Sequence, residues 1–369
     1  MIRPAQVLVL VAAGVALAGA GVWLVARHGA DSETQPAAQV LPLQPADLNA
    51  VTRLDVFKGD GSRTTLTREA THWTVTQRGY PADTGQVRKL LLDLSHLASE
   101  EQKTSDPTLY SKLGVEDPSG AQATGTGLTL EVHGRTLGLI VGKTSGTSSV
   151  YVRVAGQPQS LLANPQLAPD ADPRHWLDRG IVDIAPDQVT AVELAPLDGP
   201  AYSLKRSAPG AAPEFGVSPI PKGRELADAA SAASQAGALA ALQLDDVRKT
   251  GTHPAVSHAV FHLSDGLTLT LTGIPEGETR YLAATAAGES AAAQQRARDL
   301  NTRLAGWEFE IPSYRYDTLF RPLEQLLKPK PVPAASSAPR ASRAPHSPVG
   351  GPPALPFGPQ SPSHQGDSH

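Results

Sequence analysis

A strand-turn-strand pattern occurs twice in this 369-residue chain, and that repetition constrains the fold more than any other feature. Val51-Thr52-Arg53-Leu54-Asp55-Val56 precedes Asp60-Gly61 and then Thr65-Leu66-Thr67-Arg68. Val189-Thr190-Ala191-Val192-Glu193-Leu194 precedes Asp198-Gly199 and then Ser203-Leu204-Lys205-Arg206. Alternating apolar residues on both sides of Asp-Gly spell a β-hairpin. Each copy continues alike, with His72-Trp73-Thr74-Val75 answered by Glu214-Phe215-Gly216-Val217 and a helix expected next. In the first copy Val87, Leu90, Leu91, Leu94 and Leu97 share one helical face, and Asp83 with Gln86 has the spacing of a capping box. In the second copy an alanine-rich helix is expected from about Glu225 to Leu242.

Further strands follow at Leu128–Val132 and Leu137–Val141, and at Ala259–Leu263 and Leu267–Leu271 around the turn Asp265-Gly266. A helix carrying Ala293, Ala297, Leu300 and Leu304 stops at Gly306, and Trp307, Phe309 and Ile311 alternate as a strand. Leu319, Phe320, Leu323, Leu326 and Leu327 close the body. Mixed helices and hairpin-linked strands place the fold in the α+β class, as two related units of mainly antiparallel sheet with packed helices, residues 48–184 and 185–327.

Ahead of these units, Ala5 to Ala26 is almost wholly Ala, Val, Leu and Gly, with Trp23 near its far end. At 1.5 Å per residue, about 20 such residues cross a hydrocarbon core of ~30 Å. Ala16-Leu17-Ala18 has the small-x-small form of a signal-peptide cleavage site. The apolar run nevertheless continues through Val22, Trp23, Leu24 and Val25, beyond the ~7–15 residues of a signal core. Residues 1–28 are therefore expected to be one transmembrane anchor. Arg3 lies before it and Arg27 and His28 after it, so flanking charge is nearly balanced. A very short head favours the N-terminus inside, which puts a single-pass protein in a bacterial inner membrane with its body in the periplasm. The chain has no cysteine, which removes disulfides, thiolate metal sites and a lipid-modified cysteine together. Residues 29–47 read as a polar stalk, and 328–369, rich in Pro, Ser, Ala, Gly and His, as a disordered tail of partly polyproline-II character. The net charge of −4 offers no basic footprint for nucleic acid.

Reactive patterns are sparse. There is no Gly-x-Ser-x-Gly, and Gly125-Thr126-Gly127 lacks the third glycine of a dinucleotide loop. Gly142-Lys143-Thr144 lacks the upstream glycine of a phosphate loop and reads as a strand-ending turn. His258 and His262 would share one face of a strand some 13 Å apart, too far for one metal ion. Asp170, Asp172 and Asp178 lie near His175 and Trp176, where a paired-carboxylate site would need a cleft. Trp73, Trp176 and Trp307 suit core packing, or a binding platform if they are exposed. His364 and His369 fall in the tail.

Gly79-Tyr80-Pro81-Ala82-Asp83, Lys103-Thr104, Leu113-Gly114-Val115, Val141-Gly142-Lys143, Tyr151-Val152-Arg153 and Trp176-Leu177-Asp178 resemble domain-of-unknown-function family 4340. Gly306-Trp307-Glu308-Phe309-Glu310-Ile311-Pro312-Ser313-Tyr314 resembles that family's closing segment, so the likeness spans about Leu48 to Leu327. The resemblance implies one N-terminal membrane helix, a periplasmic body and genes near ABC-type transporters linked to gliding motility. It supplies no catalytic, cofactor-binding or metal-ligating residue. The expectation is a membrane-anchored accessory or scaffold protein of the cell envelope, not an enzyme, assisting ABC-type transporter subunits through protein–protein contacts. The alternatives are a periplasmic glycan- or peptide-binding module, and an enzyme with a dispersed carboxylate site.

Overall fold

The computed structural model describes residues 38–207, 215–253 and 256–329. The first half runs β1 (Val51–Lys58), β2 (Arg63–Glu69), β3 (His72–Val75), β4 (Tyr80–Pro81), α1 (Thr84–Ser95), β5 (Ala98–Gln102), α2 (Tyr110–Leu113), β6 (Thr126–Val132), β7 (Arg135–Ser145), β8 (Ser149–Val154) and β9 (Ser160–Asn164). β10 (Gly180–Val182) links it to the second half, which runs β11 (Val189–Ala195), β12 (Tyr202–Arg206), β13 (Phe215–Ser218), α3 (Ala229–Ala236), β14 (Leu242–Gln243), β15 (Asp246–Lys249), β16 (Ser257–Leu263), β17 (Leu267–Glu276), β18 (Thr279–Gly288), α4 (Ala291–Leu304), β19 (Trp307–Glu310) and α5 (Ser313–Leu319). The fold is α+β, built on two large antiparallel sheets.

The sheets have the orders β4-β3-β2-β1-β6-β7-β8-β9-β5 and β13-β12-β11-β16-β17-β18-β19-β15. Apart from β4, one order maps strand for strand onto the other. The correspondence reaches single hydrogen bonds. The register of β1 on β6 slips between Val51 and Arg53, and that of β11 on β16 slips between Val189 and Ala191. Arg68 donates to the carbonyls of Leu48 and Asn49, and Arg206 to those of Pro186 and Val189, so each arginine closes the turn that enters its unit. The end of each unit also returns to the lead-in of its helix. Asp83 N–H donates to the Trp176 carbonyl, as Ala227 N–H does to that of Leu326. Asp178 N–H donates to the Pro81 carbonyl, as Lys328 N–H does to that of Glu225.

Each helix lies beside its sheet because its apolar stripe has no other cover. α1 buries Val87, Leu90, Leu91 and Leu94, in one cluster with Leu54, Val56, Leu66, Leu128 and Leu130. Its Asp83 cap accepts the N–H of Gln86 as expected, but the reciprocal half of the capping box is replaced by the Asp83–Trp176 backbone bond. The second-copy helix is shorter than its composition suggests. Leu226 is held extended by a bridge to Leu327, Asp228 caps at Ala230, and Gly237 ends the helix. Leu239, Leu242 and Leu244 are buried from the following turn and strand instead.

The stalk read over residues 29–47 also ends earlier. Leu41 and Leu43 are buried, Gln39 bridges to Ala98, and Val40 and Ser99 N–H groups bond across to Leu97 and Ala38. Residues 38–47 thus belong to the body, because burying two leucines and pairing the edge of β5 outweighs the freedom of a short polar stretch. The core cluster runs from Leu41 to Leu327 through both sheets, so the halves share one interior.

Among the described residues no helix is long and apolar enough to cross a membrane. The anchor expected at 1–28, the stalk up to residue 37 and the tail beyond Pro329 lie outside those residues.

Candidate functional site

The seam between the two sheets gathers a cluster of polar side chains from both halves. From the first half, the β3–β4 turn presents Gln77 and Arg78, and β4 sends Tyr80 inward. Tyr80 meets Trp307 edge-on at 5.0 Å between ring centroids and Phe309 at 6.1 Å. From the second half comes β15, the edge strand beside β19. Arg78 forms a bidentate pair with Asp246, at 2.6 and 2.7 Å, joining residues 168 apart in sequence. Gln77, Arg78, Asp246, Val247, Arg248, Lys249 and Tyr281 line a cleft of about 360 Å³.

Behind this cleft Glu308 is fully buried. It accepts hydrogen bonds from Gly251 N–H at 2.6 Å and Arg248 Nε at 2.8 Å, and pairs with His253 Nε2 at 2.7 Å. Burial pushes its carboxyl up, but these donors together outweigh that and hold it below the ordinary glutamate value. The opposite holds for Glu310 on the same strand, which burial and the neighbouring Asp246 and Asp245 push up. Arg248 also reaches Glu276 at 2.6 Å and lies over the Tyr281 ring at 3.6 Å. Lys249 places its ammonium 3.3 Å from the Trp307 ring centroid. Burial raises the Tyr80 phenol to about 12, so it is a neutral packing group at any ordinary pH. The arrangement suits recognition of a charged group: fixed cations on aromatic faces, with matched carboxylates behind them.

The patterns singled out in the sequence have other employment. Lys143 donates to the carbonyls of Ser111 and Lys112, capping the end of α2. A Cβ on Gly142 would lie 2.3 Å from the Leu113 carbonyl oxygen, so this glycine serves close packing. Gly125 and Gly127 are equally constrained, by the Gly114 carbonyl at 2.6 Å and the Phe57 ring at 2.4 Å. Arg153, almost fully buried, ties the same loop down. It donates to the carbonyls of Val115 and Gln157, pairs with Asp117 at 2.7 Å, and covers the Tyr110 ring at 4.6 Å. Leu113-Gly114-Val115, Val141-Gly142-Lys143 and Tyr151-Val152-Arg153 are therefore one device that fastens the loop between β5 and β6 onto the outer face of the first sheet.

His258 and His262 sit on β16, two register positions either side of Val260, facing Ala195 and Ala191 of β11. His262 comes within 3.3 Å of Glu193, and His258 within 3.5 Å of the Thr272 hydroxyl. Among the described residues no three His, Cys, Asp or Glu side chains are grouped to hold a metal ion. Asp170 pairs with His175 Nδ1, and its carbonyl takes the Trp176 indole N–H. Asp172 caps the next turn and pairs with Arg174, whose hydrogen bond brings its carboxyl down to about 2. Asp178 accepts the Gly180 N–H. These carboxylates shape consecutive turns. Trp73, Trp176 and Trp307 are all buried, so none forms an exposed platform. His364 and His369 lie outside the described residues.

The seam itself was not visible in the sequence. Its residues come from positions 77–80, 246–253, 276–281 and 307–310, and no short spacing joins them. The one available signal was that Gly79-Tyr80-Pro81 and Gly306-Trp307-Glu308-Phe309 belong to the same resemblance; in space they touch.

The family model described as "Domain of unknown function (DUF4340)" matches residues 73–259, more than half of the chain. No curated protein and no solved structure matches. The match takes in Trp73, the Tyr80 turn, the Arg153 clamp and the edge strand β15, and stops short of β19. The chain therefore belongs to the DUF4340 family of domains of unknown function.

Proposed function

We propose that this chain is a membrane-anchored accessory protein of a bacterial cell envelope. Residues 5–26 hold it in the inner membrane, its two related units lie in the periplasm, and it acts on an ABC-type transporter through protein–protein contacts. The observation that carries the reading is how the motif residues are spent. Lys143, Arg153, Gly142 and the three tryptophans secure the architecture, while the polar groups left at a surface line a shallow ionic cleft at the sheet seam. The path of the chain supports it too. The body begins by Ala38, where Ser99 N–H meets the Ala38 carbonyl. The residues between 26 and 38, even fully extended, reach at most about 40 Å, which keeps the body within range of a membrane partner's extracytoplasmic loops.

Chemical crosslinking in native membranes, followed by identification of the captured proteins, tests the role. Repeated recovery of one transporter permease supports it. Recovery of the chain with nothing but itself, at crosslinker levels that capture other envelope complexes, counts against it.

A further inference from the structure

The seam joins the turn between β3 and β4 of the first unit to the edge strand β15 of the second, where Arg78 grips Asp246. The repeat carries a second copy of each side. The Pro81 carbonyl accepts from Asp178 N–H as that of Glu225 does from Lys328 N–H, so Arg78-Gly79-Tyr80 corresponds to Lys222-Gly223-Arg224. Both glycines have positive φ, 60° and 75°. On the other side, Asp246 pairs with Glu310, which pairs with Tyr281, and Glu101 pairs with Leu162, which pairs with Tyr151. Glu101 on β5 therefore holds the place of Asp246 on β15. Residues 101–104 line a groove of about 350 Å³ with Leu109, Lys112 and Leu113, as residues 246–249 line the seam cleft.

Among the described residues these second copies do not meet each other. Lys222 is exposed, and the carboxylates beside its turn, Glu225 and Glu324, are taken by Lys328 and Arg224. Glu101 is 60% exposed and shares Lys103, two residues along the same edge. The ends of the body agree. Leu244 N–H donates to the Arg179 carbonyl as Ser99 N–H does to that of Ala38, so Ala38 opens the first unit where Arg179 opens the second. Lys328 closes the second unit where Asp178 closes the first. Asp178 and Arg179 are consecutive residues, whereas Lys328 and Ala38 stand at the two ends of the body.

We propose that the chain associates with a second copy of itself head to tail, the Lys222 turn of one copy seated on the β5 edge of the next, with Lys222 paired to Glu101. This goes beyond the accessory role and does not depend on it. The seam supplies the geometry, and charge selects the direction. A two-fold contact would set Lys222 against Lys222 or Glu101 against Glu101, where like charges repel. Ile220, exposed two residues before Lys222, gives the turn an apolar side toward Leu109 and Leu113 of the groove. A head-to-tail contact leaves one face free at each end, so it grows into a filament or closes into a ring. The contact is weaker than the seam, because Arg224, held by Glu324, stands where Tyr80 packs on Trp307.

The chain has no cysteine, so thiols can be placed one face at a time. The test treats intact cells producing the full chain with a short membrane-permeant bismaleimide. The double variant Glu101→Cys/Lys222→Cys should give a ladder of dimer, trimer and higher species, or a closed ring, while each single variant stays monomeric. The same reagent on Arg78→Cys/Asp246→Cys, which places the two thiols within one chain, sets the yield expected of such a contact. Failure of the double variant to join chains overturns the proposal, and so does a dimer from either single variant, which means that like faces meet. Charge reversal gives a second readout, the co-capture of two differently tagged copies after brief formaldehyde fixation. Lys222→Glu in both copies should lower it about 3–10-fold, and adding Glu101→Lys should restore it. A double reversal that captures no better than Lys222→Glu alone overturns the pairing.

Discussion

Replacing Arg153 by methionine isolates what the clamp contributes, because methionine keeps the apolar stem and removes the donors. The guanidinium donates to Val115 O at 2.8 Å and Gln157 O at 3.1 Å while its side chain is only 5% exposed. A hydrogen bond from a charged donor is worth about 1.5–3 kcal/mol, and an acceptor left buried without a partner forfeits a similar amount. The pair with Asp117 adds little, since that carboxylate is 70% exposed. Stacking on Tyr110 adds about 0.5–2 kcal/mol. Relief from burying a charge offsets part of this, leaving a loss of about 3–4 kcal/mol. The loss should be local. Tyr110, Val115 and Ile140 form a small cluster of their own, separate from the main core, so the loop can open while both sheets stay folded. Amide exchange read by mass spectrometry should accelerate roughly 10²–10³-fold over residues 107–125 and stay unchanged in β6 and β17. Exchange in the loop within ~3-fold of wild type would refute the reasoning and give the hold to the apolar cluster alone.

Three further outcomes follow from the same contacts. Glu308→Gln should destabilise the body by about 2–4 kcal/mol at neutral pH in thermal melts, because it breaks a buried carboxylate's pairing with Arg248 and His253. The folded carboxyl is held below its unfolded value of 4.5, so its stabilisation is complete above that pH and fades as pH falls through the folded value; melts of Glu308→Gln across pH 3–7 should show a flatter acid limb. Glu310→Gln should act in the opposite sense. Its carboxyl is raised, so its penalty is absent in acid, grows as pH rises above the unfolded value of 4.5 and is complete above the folded value, and the variant should melt higher than wild type at pH 7. Tyr80→Ala should lower stability by about 3–4 kcal/mol as a single cooperative transition, since the ring joins Trp307 and Phe309 across the shared core.

Much of the fold was readable from the chain. The hairpins at Asp60-Gly61 and Asp198-Gly199 and the stripe of α1 rest on local rules, and local rules survive into the tertiary structure. The strands read poorly were the edges, β5 and β15. Ala98-Ser99-Glu100-Glu101-Gln102 and Asp246-Val247-Arg248-Lys249 show no useful alternation because charges suit an edge. The alanine-rich second helix is shorter than its composition suggests because propensity does not register Leu226 being pulled out to pair with Leu327. Residues 38–47 resemble a stalk in sequence because Leu41 and Leu43 look isolated there and find their core only in space. Of the cleft, each residue looked like ordinary surface; Arg78 and Asp246 become a site through a sheet order that places β15 beside β19.

The central claim is that this body is displayed outside the cytosol on a membrane anchor, and labelling tests it most directly. The chain has no cysteine, so Thr147→Cys, in the exposed turn between β7 and β8, provides one reporter thiol. In intact spheroplasts, a membrane-impermeant maleimide should modify it fully, and the protein should stay in the membrane pellet after carbonate extraction. Labelling only after lysis, or release of the protein to the supernatant, would contradict the account.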